Sequence, residues 1–251
     1  MTTIGILGAA GRMGQTIAAV ADELGATIAG GVDRDGAVIG PHRDAAALAG
    51  ASDVLVDFSA PAALAGHLAA ARAAGTPIVV GTTGLQPGDH AAIDEAAGAV
   101  AVLQAANTSL GVNLLRHLVA QATARLGPDW DIEVFEMHHR HKVDAPSGTA
   151  LLLAAAAAEG RGSTLEALSR FDRIGHGGGH AREPGTIGYA ALRGGSVAGD
   201  HQVILATDGE RIELGHRAEN RGIFAKGAVK AALWLAGRPA GRYTMADVLG
   251  L

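Results

Sequence analysis

Thr3-Ile4-Gly5-Ile6-Leu7-Gly8-Ala9-Ala10-Gly11-Arg12-Met13-Gly14 decides the fold. A short apolar run ends in closely spaced glycines, and apolar residues then recur at helical spacing from Gly11 to Leu24, so the stretch reads as strand, tight turn, helix. Glycine at Gly8, Gly11 and Gly14 lets the backbone come close to a pyrophosphate, and the helix that starts there turns its unpaired N–H groups toward the anion. An ordinary glycine-rich turn is the plainer alternative. Its place between a strand and a helix favours the nucleotide reading.

The same unit recurs downstream. Ala26 to Val32, Asp53 to Phe58, Pro77 to Val80 and Val100 to Leu103 read as further strands, with Pro61 to Ala74 and Pro87 to Ala97 as helices between the later ones. Alternating strands and helices make a parallel, doubly wound sheet covered on both faces, which binds ligands beyond the carboxyl ends of its strands. Asp33 ends the second strand, where a carboxylate can accept hydrogen bonds from an adenosine ribose. Its neighbour Arg34, with Arg12, can instead pair with a 2′-phosphate, so the cofactor is NADH, NADPH or both. Gly81-Thr82-Thr83-Gly84 follows the fourth strand and would let a nicotinamide ring lie close to the backbone.

After residue 109 the pattern changes. A helix (Gly111 to Leu126), a strand (Asp131 to Met137) and a helix (Ser147 to Glu159) lead into a glycine-rich loop from Gly175 to Gly185. Strands at Thr186 to Arg193, His201 to Thr207 and Arg211 to His216 follow, the last two joined by the hairpin signal Asp208-Gly209. This predicts a second, α+β domain on a mixed or antiparallel sheet over 110–218, with the dinucleotide domain formed by 1–109 and 219–251, where Gly222 to Ala236 returns as an amphipathic helix.

Bulk properties narrow the function. The 251 residues are 48% hydrophobic, enough for a buried core, and the net charge of −5 gives no basic footprint for nucleic acid. The longest apolar run, Ala150 to Ala158, is far short of a membrane span, and no charged leader precedes the first strand, so a soluble cytoplasmic protein is expected. Zero cysteines exclude disulfides, thiolate zinc sites and any thioester mechanism.

Glu136-Met137-His138-His139-Arg140-His141-Lys142-Val143-Asp144-Ala145-Pro146-Ser147-Gly148-Thr149 carries the chemistry. It places three histidines, an arginine and a lysine in five consecutive positions after a strand. A solvated loop would favour Lys, Glu and Ser over histidine. A metal site would suffer from Arg140 and Lys142 beside the cation, and no metal is expected. The third account is an anionic substrate with a proton donor, because histidine titrates near neutral pH and lysine is a compact cation. The helix start at Ser147, Gly148 and Thr149 supplies a carboxylate nest. Two anion-binding features a few residues apart suggest a dicarboxylate.

The run from His138 to Ala150 resembles the signature of the dihydrodipicolinate reductases, which reduce a cyclic imine dicarboxylate with NADH or NADPH on the route to lysine and diaminopimelate. The resemblance extends over Gly8 to Gly14, Gly81 to Gly84, Ala105-Ala106-Asn107 and Glu213 to Gly227, nearly the whole chain. It implies that His138 donates and accepts the proton, that Lys142 is a second donor that also binds substrate, and that His139, Gly148 and Thr149, beside Ser147, hold the substrate carboxylates. It implies cofactor contacts from Gly8, Ala9, Ala10, Gly11, Arg12 and Met13, from Asp33 and Arg34, from Gly81, Thr82 and Thr83, and from Ala105, Ala106, Asn107 and Thr108. It further implies a homotetramer formed through the second domain's sheet. The stretch between Asp35 and Ala51 is short for the family. A reductase of another carboxylated imine or ketone and a non-catalytic nucleotide sensor remain the alternative readings.

Overall fold

The computed structural model describes residues 1–171 and 181–251. Residues 175–180 of the glycine-rich loop read from the sequence lie outside them. The chain divides into two units, Met1–Leu110 with Gly222–Leu251, and Gly111–Arg221.

In the first unit β1 (Thr2–Leu7), α1 (Arg12–Val20), β2 (Ala26–Asp33), β3 (Gly36–Ile39), α2 (Ala45–Gly50), β4 (Val54–Asp57), α3 (Pro61–Ala74), β5 (Ile78–Val80), α4 (Pro87–Ala97) and β6 (Ala101–Gln104) follow in order. Among the described residues their sheet is ordered β12-β6-β5-β4-β1-β2-β3, where β12 (Gly241–Tyr243) comes from the C-terminal segment. All pairings are parallel except β2 with β3. The order reverses at β1, which pairs with both β2 and β4, so the crevice at the carboxyl end of β1 is the expected ligand position. Side chains alternate between two buried cores: Ile4, Ile6, Val54, Val56, Val79 and Leu103 face one, and Leu7, Leu55, Ile78, Val80 and Val102 the other.

The second unit contains most of α5 (Leu110–Leu126), then β7 (Asp131–His138), α6 (Gly148–Gly160), α7 (Leu165–Leu168), β8 (Ser169–Arg170), β9 (Ile187–Arg193), β10 (Gly199–Thr207) and β11 (Glu210–Ala218). Its sheet runs β11-β10-β7-β9-β8 and is mixed: β10 pairs antiparallel with β7 and β11, while β9 pairs parallel with β7 and β8. The Asp208-Gly209 turn joins β10 to β11 with Gly209 at φ +87°, as the hairpin requires. Inward residues Ile132, Val134, Ile187, Val203 and Leu205 pack with Ala150, Leu153, Ala154 and Ala157 of α6. The chain returns to the first unit as α8 (Gly222–Leu235) and α9 (Met245–Leu249).

The elements unforeseen in the sequence are short. β3 and α2 occupy the stretch between Asp35 and Ala51, and the α2 start had a readable cap, Asp44 accepting from the Ala47 N–H. α9 likewise carries a capping box between Thr244 and Asp247. The helix read through to Leu24 ends at Val20 and gives way to a 3-10 turn over Asp22–Leu24, closed by Gly25 at φ +79°.

Candidate active site

The glycine-rich loop after β1 is pinned to the end of β2. The Gly8 and Ala9 N–H groups both donate to the Val32 carbonyl (3.0 and 3.1 Å), the Ala10 N–H donates to Asp33 Oδ2 (3.0 Å), and the Gly11 N–H donates to the Gly8 carbonyl (3.1 Å). Asp33 is therefore a brace for the loop as well as the residue at the strand's end. Gly8 sits at φ +83°. A Cβ at Gly14 would lie 2.5 Å from the Gly8 carbonyl oxygen, so only glycine lets α1 start this close to the strand. The N-cap of α1, Gly11, supplies no side chain, which leaves the amide-rich start of α1 at Arg12 and Met13 uncapped by protein.

Two hollows adjoin this loop. One of about 630 Å³ is lined by Gly8, Val32, Asp33, Arg34, Arg43 and His67 among others. The second, about 230 Å³, is lined by Gly11, Arg12, Met13, Phe58, Ser59, Gly81, Thr82 and Thr83. Guanidinium groups and a carboxylate line the first hollow, and hydroxyls, bare backbone and the uncapped start of α1 line the second, a set of donors and charges that suits an anionic ligand. No protein Cβ fills the cradle at Gly8, Gly11 or Gly14.

The remaining residues of the predicted cofactor set divide. Thr83 is exposed, whereas Thr82 is buried and donates to Asp57 Oδ1 at 3.1 Å. Gly81 is needed by Phe58, whose ring a Cβ there would meet at 2.3 Å. Ala106 is exposed and Ala105 is buried, its N–H donating to the Val80 carbonyl. Asn107 Oδ1 accepts from the Ser109 N–H, and Thr108 turns inward to donate to the Phe224 carbonyl (2.7 Å). The sequence reading missed a buried carboxylate here. Asp57 at the end of β4 accepts from Ser59 N–H and Oγ (2.9 and 2.6 Å) through Oδ1 and pairs with His67 Nδ1 (2.8 Å) through Oδ2. Its signal was a charged residue closing an apolar strand.

In the second unit the histidine-rich stretch starts on β7 and continues into the loop before α6. His138 is buried, and its Nδ1 lies 2.5 Å from Glu136 Oε2. Glu136 also receives both Nη atoms of Arg193 (2.9 and 2.8 Å) and the Ser147 N–H (3.2 Å). Burial alone raises the Glu136 carboxyl, but Arg193 and His138 outweigh it and hold the group below the ordinary glutamate value. His201 stands edge-on to His138 with ring centroids 5.0 Å apart, and its Nε2 lies 3.0 Å from Ser147 Oγ. Burial, then the nearby His138, pushes His201 down to about 4. The register explains the assembly, because His201 faces Glu136 across β10–β7 and Arg193 faces His138 across β9–β7.

Lys142 Nζ is held by both oxygens of Asp144 at 2.8 Å, and this pairing lowers the Asp144 carboxyl. His139 Nε2 lies 3.2 Å from Arg221 Nη2, and desolvation with the charge of Arg221 lowers its pKa. Ser147 caps α6 by accepting from the Ala150 N–H at 3.2 Å. Its own N–H is taken by Glu136, so the nest read from the sequence comes down to Gly148 and Thr149 in the first turn of α6. Arg193, His201 and Arg221 had no local signal, because they arrive from 55 to 83 residues further along the chain than His138.

The family model described as "Dihydrodipicolinate reductase, N-terminus" matches residues 2–108, and "Dihydrodipicolinate reductase, C-terminus" matches residues 111–249. The chain belongs to the dihydrodipicolinate reductase family. The 4-hydroxy-tetrahydrodipicolinate reductase of Zymomonas mobilis is 59% identical over 248 residues, covering 99% of this chain and 97% of the relative. That of Acidiphilium cryptum is 51% identical over 249 residues, covering 99% and 97%. Among solved structures, the dipicolinate-bound dihydrodipicolinate reductase of Paenisporosarcina sp. TG-14 superposes with a TM-score of 0.76, covering 98% of each chain at 21% identity. An engineered D-amino acid dehydrogenase bound to NADP+ gives 0.57 at 15% identity, covering 98% of this chain and 93% of that one. The first unit thus has the Rossmann-type fold of pyridine-nucleotide-binding domains in this reductase family, with the second, mixed sheet beside it in sequence.

Proposed function

We propose that the chain is a 4-hydroxy-tetrahydrodipicolinate reductase, which converts the cyclic imine dicarboxylate dihydrodipicolinate to tetrahydrodipicolinate with NADH or NADPH in lysine and diaminopimelate biosynthesis. The observation that carries this reading is the gathering in the second unit of a buried histidine, His138, with Lys142, His139 and the first turn of α6, in a family whose relatives are named for this reaction. The nicotinamide cofactor, when bound, supplies the hydride. The protein then has to hold two carboxylates and deliver one proton to the ring.

His138 delivers the proton, worth about 10²- to 10⁴-fold in rate. Lys142 neutralises one substrate carboxylate, which then exchanges for Asp144 at the ammonium. His139, Gly148 and Thr149 hold the other, with Ser147 fixing the helix start. In the first unit the cofactor is held by the loop from Gly8 to Met13, by Gly81, Thr82 and Thr83, and by the segment from Ala105 to Thr108, whose Thr108 serves through its backbone. Asp33 addresses the adenosine ribose, and Arg34, joined by Arg43 on the same hollow, addresses a 2′-phosphate. The outward face of the second sheet, with Phe135, Met137, Leu192 and Ile204 on alternate positions, is the surface for a homotetramer. The working compartment is the cytoplasm. Among the described residues no helix is long and apolar enough to cross a membrane.

The test is oxidation of NADH and NADPH in parallel, with the substrate generated from pyruvate and aspartate semialdehyde by a synthase. Oxidation that requires both protein and substrate is expected, and the ratio of the two rates weighs Asp33 against Arg34 and Arg43. His138→Ala is expected to lower kcat at least 100-fold with cofactor binding retained. Cofactor binding without turnover in the unmodified protein would sink the assignment.

A further inference from the structure

Resting on the proton-donor role proposed for His138, we infer that Glu136, clamped by Arg193, is a positioning residue that sets the working tautomer of His138. Glu136 is 1% exposed and is met by Arg193 through both Nη atoms, by the Ser147 N–H and by His138 Nδ1. An arginine always carries its charge, so a bidentate guanidinium keeps this carboxyl ionised despite its burial. An ionised carboxylate only accepts hydrogen bonds. The 2.5 Å contact at Nδ1 therefore requires the proton on Nδ1 in neutral and charged imidazole alike. Nε2 becomes the one nitrogen that gains and loses a proton: an acceptor when the ring is neutral, a donor when it is charged.

The surroundings keep Nε2 in that role. At Gly199, φ +155°, a Cβ would lie 3.0 Å from His138 Nε2, so the glycine leaves the approach to that atom open. Among the described residues, the charged and titratable groups around the pair include Arg193 from β9, His201 from β10 with His216 of β11 beside it, and His139, Lys142 and Asp144 from the loop before α6. His201 and His216 are both held toward the neutral form by burial, so on the strand side Glu136 and Arg193 are the fixed charges. Arg193 Nη2 also donates to the Asp144 carbonyl at 2.5 Å, which ties the Lys142 loop to the same carboxylate. One ion pair thus orients the proton donor and anchors the loop that carries the proposed carboxylate-binding lysine. Glu136 itself touches neither substrate nor cofactor in this scheme.

The experiment is long-range 1H–15N correlation spectroscopy of the histidine rings in the full-length protein, with the His138 signals identified by their loss in His138→Gln. Neutral His138 is expected to carry its proton on Nδ1. In Glu136→Gln the amide can donate to Nδ1, and the proton is expected on Nε2. That variant is also expected to lower kcat about 100-fold at unchanged cofactor KM. A neutral ring protonated at Nε2 in the unmodified protein overturns the inference without any change at Glu136. So does Glu136→Gln with an unchanged tautomer. Near-normal turnover in His138→Gln would instead refute the proton-donor reading, while the tautomer measurement would still stand or fall by itself.

Discussion

In the first unit the loop from Gly8 to Met13 is held by main-chain groups, with Val32 and Gly8 carbonyls taking its amides and one side chain, Asp33, taking another. In the second unit His138 is held by side chains from three strands: Glu136 beside it, itself clamped by Arg193 from β9, and His201 from β10. The first arrangement depends on where a Cβ cannot be. The second depends on charge and on strand register. Substitutions should therefore fail differently in the two units: by steric exclusion in one, by altered protonation in the other.

The largest expected effect tests the steric half. Gly227 on α8 lies against the segment after β6, and a Cβ there would fall 1.8 Å from the Thr108 carbonyl oxygen and 3.5 Å from the Ser109 nitrogen. These are backbone atoms, which cannot rotate aside. Gly227→Ala is expected to destabilise the first unit by about 3 kcal/mol or more, read as a lowered denaturant midpoint. Stability within about 0.5 kcal/mol of the parent would mean that α8 shifts freely, and the contrast between the units would lose its basis.

The same difference explains what could be read in the sequence. Gly8, Gly11 and Gly14 announce their role through spacing alone, since the constraint on a tight strand–turn–helix is local. The Asp208-Gly209 turn was legible for that reason too. His138 and Lys142 stood out through the density of the cluster, and Glu136 lay in the quoted stretch without a role. Arg193 and His201 became partners only when β9 and β10 took their places on either side of β7, a pairing set by long-range register. Thr82 and Thr108 show the converse limit. Both sit where a cofactor loop should be, yet their hydroxyls face Asp57 and Phe224 within the protein. Composition does not tell which way a threonine turns.

The next effect sharpens the protonation half. His201 has its folded pKa pushed down to about 4 from an ordinary value near 6.5, chiefly by burial. Below about pH 6.5 the unfolded chain takes up a proton that the folded chain refuses until about pH 4. Stability from this group is thus full above pH 6.5 and is lost as pH falls toward 4. Between pH 8 and pH 5 the loss is about 2 kcal/mol. His201→Gln, whose amide can still reach Ser147 Oγ, is expected to flatten that slope in urea titrations taken across the range. An equal slope in parent and variant would assign the acid sensitivity elsewhere and leave His201 a packing residue.

The smallest effect on stability is at Gly148, the second unit's counterpart to Gly14 because both lie in the first turn of a helix proposed to face an anion. A Cβ at Gly14 would strike the Gly8 carbonyl at 2.5 Å, whereas a Cβ at Gly148 meets nothing within 4 Å. Gly148→Ala is therefore expected to change stability by less than about 0.5 kcal/mol, since helix propensity slightly favours alanine and no protein atom resists it. Any cost must come from the ligand side. If the first turn of α6 holds a substrate carboxylate, the added methyl should raise substrate KM roughly tenfold with kcat and cofactor KM little changed, because it obstructs approach without touching His138. Unchanged substrate KM would remove the α6 start from the binding site and leave Lys142 and His139 as the carboxylate ligands. A loss of stability would show that even here the glycine answers to packing, as it does at Gly14.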